Sequence, residues 1–176
     1  MGDVNKVIAC CKKLGLEPRL GVFEHRLILQ KMVFLLELKG VELGFNYGLY
    51  VRGPYSAELT REIYANKTKL ESLDCSESLN QNEEGMVEQF KGIFQLKTAL
   101  LEAAATYAFF AYKEKLGAVE ATRRLKKLKP FLSEALVAVG TSKAKEFLYV
   151  PTDEELREMK KESEPWQQAA LEDLEK

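Results

Sequence analysis

The densest run of side chains able to do chemistry is Arg123-Arg-Leu-Lys-Lys-Leu-Lys129. Over residues 113–129 there are seven basic and two acidic residues, a local excess of five. Leu125 and Leu128 are spaced i, i+3, so they anchor one face of a helix. Arg123, Arg124, Lys126, Lys127 and Lys129 are then expected to point outward. Such a stripe meets phosphates, with affinity that falls steeply as salt rises. Pro130 follows and opens a second expected helix, Phe131–Val139, in a helix-turn-helix-like order. The outward side of that second helix offers only Ser133 and Glu134, which argues against base readout. The competing reading is a solvated basic face near a helix C-terminus, where the macrodipole favours cations.

A second constellation is Arg52-Gly53-Pro54-Tyr55-Ser56. If a helix starts here, its free N–H groups attract anions and Arg52 adds charge. The alternative is a rigid turn: Gly53 takes an unusual backbone angle, Pro54 fixes the start of the helix and Ser56 caps it. In either case Tyr47, Tyr50 and Tyr55 are placed to rim a recognition groove, since tyrosine offers contact area at low entropic cost. A third candidate is Glu102, alone in the apolar stretch from Ala99 to Tyr112. A buried carboxylate there would serve as an acid or base, or be held by Thr106 or a basic partner.

Catalysis needs more than one such group, and no constellation is visible. One histidine (His25) and three unspaced cysteines (Cys10, Cys11 and Cys75) do not make a zinc site. The phosphate-binding, nucleophile-elbow and metalloprotease motifs are missing, so no cofactor is expected. An unrecognised enzyme built on Glu102 and the tyrosine/arginine turn stays as an alternative.

The elements that position these residues are mostly helical. Val4, Val7, Ile8, Cys11 and Leu14 share one face, and Gly15 ends that run. A second helix is expected from about Phe23 to Lys39. Its apolar residues wrap past one face, so it is read as a central core element. Phe45 to Arg52 alternates like a strand, with Phe147–Val150 or Leu70–Cys75 as weak candidate partners. A helix follows to about Asn66, and Asp74–Glu84 reads as a loop. Gly85–Leu116 reads as two helices meeting near Thr98, and Ala118–Lys129 as another. Gly140 is expected to stop the helix that begins at Phe131. Thr152 or Asp153 is expected to cap a further start after Pro151.

The 176 residues, 46% hydrophobic, suffice for one domain with a core. Residues 1–150 are assigned to a single mostly α domain with a small β element near residues 45–52. Residues 151–176 are assigned to an acidic C-terminal helix or tail. That tail carries nine acidic and four basic side chains. It would fold back over the basic stretch, or form a solvated helix that docks Trp166 and Leu171, or stay mobile. The net charge of −1 gives no global field toward nucleic acid or membrane. The cysteine usage and the lack of a signal-like N-terminus point to a cytoplasmic protein.

The order of Leu29-Gln-Lys31, an apolar run, Gly44-Phe45, Tyr47, Tyr50 and Gly53-Pro-Tyr-Ser56 resembles the YwgA-like group of prokaryotic proteins. It is similar at a distance to the Panacea (SocA-like antitoxin) domain. Leu100–Thr106 and Leu125–Pro130 also resemble the YwgA-like C-terminal half, so the likeness covers roughly residues 23–140. It implies a compact helical domain with a small β element and a non-enzymatic regulatory role, near toxin–antitoxin or defence systems, that binds a partner protein. Nucleic-acid binding through residues 113–129 is the alternative from another class.

Overall fold

The computed structural model describes residues 1–158, 160, 161, 164 and 165. The chain is mostly α with one small hairpin. Helix α1 (Val4–Leu14) is capped by the Asp3 side chain and stopped by Gly15 in the left-handed region. Helix α2 (Phe23–Lys39) runs through the centre, with residues 27–36 all buried, and Gly40 ends it at φ 117°. A helix buried all round needs neighbours on every side. Here α6 (Thr98–Ala108), α5 (Gln81–Phe94) and α8 (Glu134–Leu148) pack against it. Phe34 of α2 lies 5.0 Å from the Tyr47 ring and 6.1 Å from Phe109. The short α3 (Ala57–Ala65) and α4 (Lys67–Ser72) cover one flank, and α7 (Ala118–Leu128) covers α6. A π-helical turn, Phe109–Lys113, continues α6.

The β element differs from the expectation in its partner. Strand β1 (Gly48–Tyr50) pairs antiparallel with β2 (Gly53–Tyr55), through Val51 and Arg52 as a two-residue loop. The Gly-Pro-Tyr segment is therefore a strand, not the turn that opens a helix. The reversal falls one step earlier. Proline is tolerated because a two-stranded sheet is all edge. Gly53 sits at φ 90°, and a Cβ there would lie 2.3 Å from Thr106 Oγ1. The distant strand partners are unnecessary: Leu70 belongs to α4 and Phe147 to α8.

Gly140 is the second correction. The chain does not stop there, and α8 runs unbroken through it from its cap at Ser133. Glycine costs a helix interior about 0.5–1 kcal/mol. The compensation is contact: a Cβ at Gly140 would lie 2.6 Å from the Ala103 Cβ. Alanines 103, 104, 105 and 108 make α6 thin, so α8 closes on it at the glycine. The expected helix at Phe131 starts later, at Glu134, and Phe131 stays exposed. After Pro151 the Thr152 hydroxyl accepts from Glu155 N–H, and residues 153–158 are helical. Trp166 and Leu171 lie outside the described residues. No described helix is long and apolar enough to cross a membrane.

Candidate functional site

A cleft of about 430 Å³ opens between the first half of α2, the hairpin tip and α3. Phe23, Arg26, Leu27, Gln30 and Lys31 form the α2 wall. They share a wall because α2 brings positions three and four apart onto one face. The hairpin contributes Tyr50, Val51, Arg52 and Tyr55, and α3 contributes Thr60, Ile63 and Tyr64. Tyr50 and Tyr55 meet edge to face, with ring centroids 5.1 Å apart. Val51 at the tip is 82% exposed.

Side chains of α2 weld the hairpin in place. The Gln30 amide accepts from Ser56 N–H at 2.9 Å and donates to Ser56 O at 3.0 Å and to Thr60 Oγ1 at 2.9 Å. This bidentate clamp copies a strand neighbour, which the two-stranded hairpin lacks. Ser56 Oγ accepts from Leu59 N–H, as an N-cap should. The start of α3 is thus already engaged with Gln30 and its own cap. The unusual angle at Gly53 and the Ser56 cap match the rigid-turn reading, Pro54 lies in β2 and does not start the helix, and the helix N-terminus is not an open anion site.

Beneath the hairpin lies a buried charge cluster. Lys31, only 2% exposed, donates from Nζ to Pro54 O at 2.6 Å. Lys129 is fully buried and donates to Glu102 Oε1 at 2.6 Å and to Val51 O at 3.1 Å. Thr106 Oγ1 donates to the backbone O of Glu102. The cluster holds two ammonium groups and one carboxylate. Burial pulls the Lys31 amine down to about 7; Lys129 and Arg52 add to this and Glu102 opposes it.

The cleft rim adds cations without acids. Arg26 and Arg52 both lie over the Phe23 ring, their Cζ atoms 5.6 and 5.2 Å from its centroid. Arg26 Nη1 donates to Leu20 O. Among the described residues neither guanidinium forms an ion pair, and no carboxylate lines the cleft.

The basic stretch fares differently. Arg123, Arg124, Lys126 and Lys127 are exposed on α7, as its pattern predicts. Arg123 is paired to Glu120 at 2.6 Å, Arg124 to Glu120 at 3.3 Å and Glu114 at 3.8 Å, and Lys126 to Glu134 at 2.7 Å. Lys129 is the correction: it points inward, because the last turn of α7 lies over Glu102. Glu102 faces that ammonium and not open space. Of the groove residues, Tyr50, Arg52 and Tyr55 line the cleft, while Gly53, Pro54 and Ser56 are buried in its frame. Tyr47 is also a correction, since it sits in the core against Phe34 with its hydroxyl unpartnered.

Sequence reasoning missed Lys31, Phe23 and Arg26 as site residues. The available signal was Gln30-Lys31, two polar residues inside a helix otherwise read as buried. Cys10 and Cys11 are buried, and burial raises both thiols, Cys10 to about 12, so neither is a ready nucleophile. No group of metal-ligating residues occurs among the described residues. Comparison of the chain with protein-family models, curated proteins and solved structures found no match.

Proposed function

We propose that this chain is a non-enzymatic interaction module of the YwgA/Panacea-like type, and that it binds a partner protein at the hairpin cleft. The observation that carries this is the cleft itself. Exposed Phe23, Tyr50, Val51 and Tyr64 surround a cavity of about 430 Å³, and two guanidiniums there lack carboxylates among the described residues. Aromatic and arginine side chains around an apolar hollow are the common currency of interface hot spots. The occupant that fits is a polypeptide segment of acidic character carrying a bulky apolar side chain. Its charge complements Arg26, Arg52 and Lys31, and its side chain fills the hollow. The cations of α7 are mostly neutralised by local carboxylates, which favours the cleft over a phosphate surface.

The test compares the two faces. Full-length protein carrying Val51→Asp with Tyr64→Ser is expected to lose a partner that the unaltered chain retains from native extract. Protein carrying Arg124→Glu with Lys127→Glu is expected to keep it. The opposite pattern, with loss only in the α7 variant, would overturn this reading in favour of α7. Nuclease-sensitive retention would then assign nucleic acid.

A further inference from the structure

The charge count around the cleft does not close. Lys31, Arg26 and Arg52 line it from α2 and the hairpin loop, Lys129 lies buried beneath it at the end of α7, and among the described residues Glu102 is the one carboxylate paired with any of them. Lys129 takes that carboxylate at 2.6 Å. Among the described residues, Lys31 is left with a single backbone carbonyl, Pro54 O, as its partner. A buried ammonium held by one neutral acceptor is costly, and the cost is relieved either by losing the proton or by an incoming anion. Apart from Gln30 and Thr60, which bond each other, the rest of the wall is apolar and aromatic, and the volume lies within the roughly 300–1,000 Å³ usual for ligand sites.

From this we infer that the cleft recognises a carboxylate carried beside a flat apolar side chain on the partner's polypeptide, the carboxylate meeting Arg52 and Lys31 and the flat group packing among Phe23, Tyr50 and Tyr64. The inference rests on the cleft being the partner-binding face and specifies what it reads. A guanidinium already stacked on Phe23 keeps its in-plane donors for a planar carboxylate.

A proton should accompany the ligand. Lys31 sits near pH 7, so at pH 8 much of it is neutral in the empty cleft. An arriving carboxylate favours the ammonium, so binding draws a proton and weakens as pH rises. The groups facing Lys31 are Lys129 from α7, Glu102 from α6 and Arg52 from the hairpin loop. Arg26 on α2 and the phenols of Tyr50, Tyr55 and Tyr64 line the same space.

The probes are capped peptides containing Asp-Trp or Trp-Asp, with Asn-Trp and Trp-Asn as neutral counterparts, titrated calorimetrically into the full chain at pH 6.5 and 8.5. We expect an acidic peptide to bind at least tenfold tighter than its neutral counterpart, with weaker binding and proton uptake at pH 8.5. The preference should shrink in Arg52→Gln, an exposed loop variant that leaves the core intact, and vanish in Lys31→Met. Equal binding of acidic and neutral peptides, or no binding by either, overturns the inference. Binding of indole-3-propionate without binding of either acidic peptide overturns the polypeptide assignment and marks a site for a free organic acid. Failure here alongside loss of the partner in Val51→Asp with Tyr64→Ser would sink the carboxylate chemistry and leave the interaction face standing. Success here with the partner retained in that variant would do the reverse.

Discussion

Two groups of cations in this molecule look alike on paper and behave in opposite ways. On α7, Arg123, Arg124 and Lys126 are exposed and each has a carboxylate within 4 Å. Around the hairpin cleft, Lys31 and Lys129 are buried, Lys129 takes the carboxylate of Glu102, and Lys31, Arg26 and Arg52 have none among the described residues. A run of basic residues marks where charge is dense along the chain. It does not mark where charge is unbalanced in space. The unbalanced site lies where distant segments converge, with residues 26–31, 50–55, 102 and 129 meeting beneath one hairpin.

The largest effect is expected at Glu102. Glu102→Gln leaves two buried ammonium groups without a counter-charge and is expected to cost about 3–5 kcal/mol. Adding Lys129→Met should restore most of it. Urea unfolding of the single and double variants checks this. A single variant within about 0.5 kcal/mol of the parent would mean that the cluster is solvated.

A smaller effect is expected at the hairpin frame. Gly53→Val forces a β-branched residue to φ 90° and drives its Cβ toward Thr106 Oγ1. The expected loss is about 1–3 kcal/mol. In a Thr106→Ala background the loss should fall, because the nearest obstructing atom is gone. Thermal melts of the four proteins give the coupling, and equal losses in both backgrounds would show that backbone strain alone sets the cost.

The smallest effect belongs to α7. Arg123→Gln removes an exposed pair with Glu120, worth at most about 0.5 kcal/mol. Its melting temperature should barely move at low salt and not at all at high salt. A loss above 1 kcal/mol would mean that α7 holds the fold through its charges, and the contrast between the two regions would collapse.

Most of the helical frame was legible in the sequence because its signals are local. Asp3 and Gly15 bracket α1, Ser56 caps α3, and the apolar wrap of residues 27–36 marks α2 as central. Gly140 misled because a glycine carries the same signature as a stop and as a close helix contact. Only Ala103 across the interface decides between them. The hairpin misled because Gly-Pro reads as a turn when its strand partner is three residues away. Half of the site was legible, as Tyr50, Arg52 and Tyr55 do line a cleft. The other half was not, because the i, i+3 spacing of Leu125 and Leu128 placed Lys129 outward while the position of Glu102 on a neighbouring helix drew it in. Lys31 could have been found: a lysine in a fully buried turn must meet an acid or a row of carbonyls.

Positive charge has no paired carboxylate at Lys31, beneath the hairpin, among the described residues. Unfolding free energies of the parent and Lys31→Met, measured from pH 6 to pH 10, test it most directly. The unfolded amine titrates near its ordinary 10.5 and the folded one near 7. Between those values the unfolded chain binds more protons, so the parent gains stability as pH rises. The advantage of Lys31→Met over the parent should therefore be greatest below pH 7 and shrink by roughly 3–5 kcal/mol on approaching pH 10. A difference that stays constant across that window would contradict the account, since it would mean that Lys31 carries its charge as easily in the folded protein as in water.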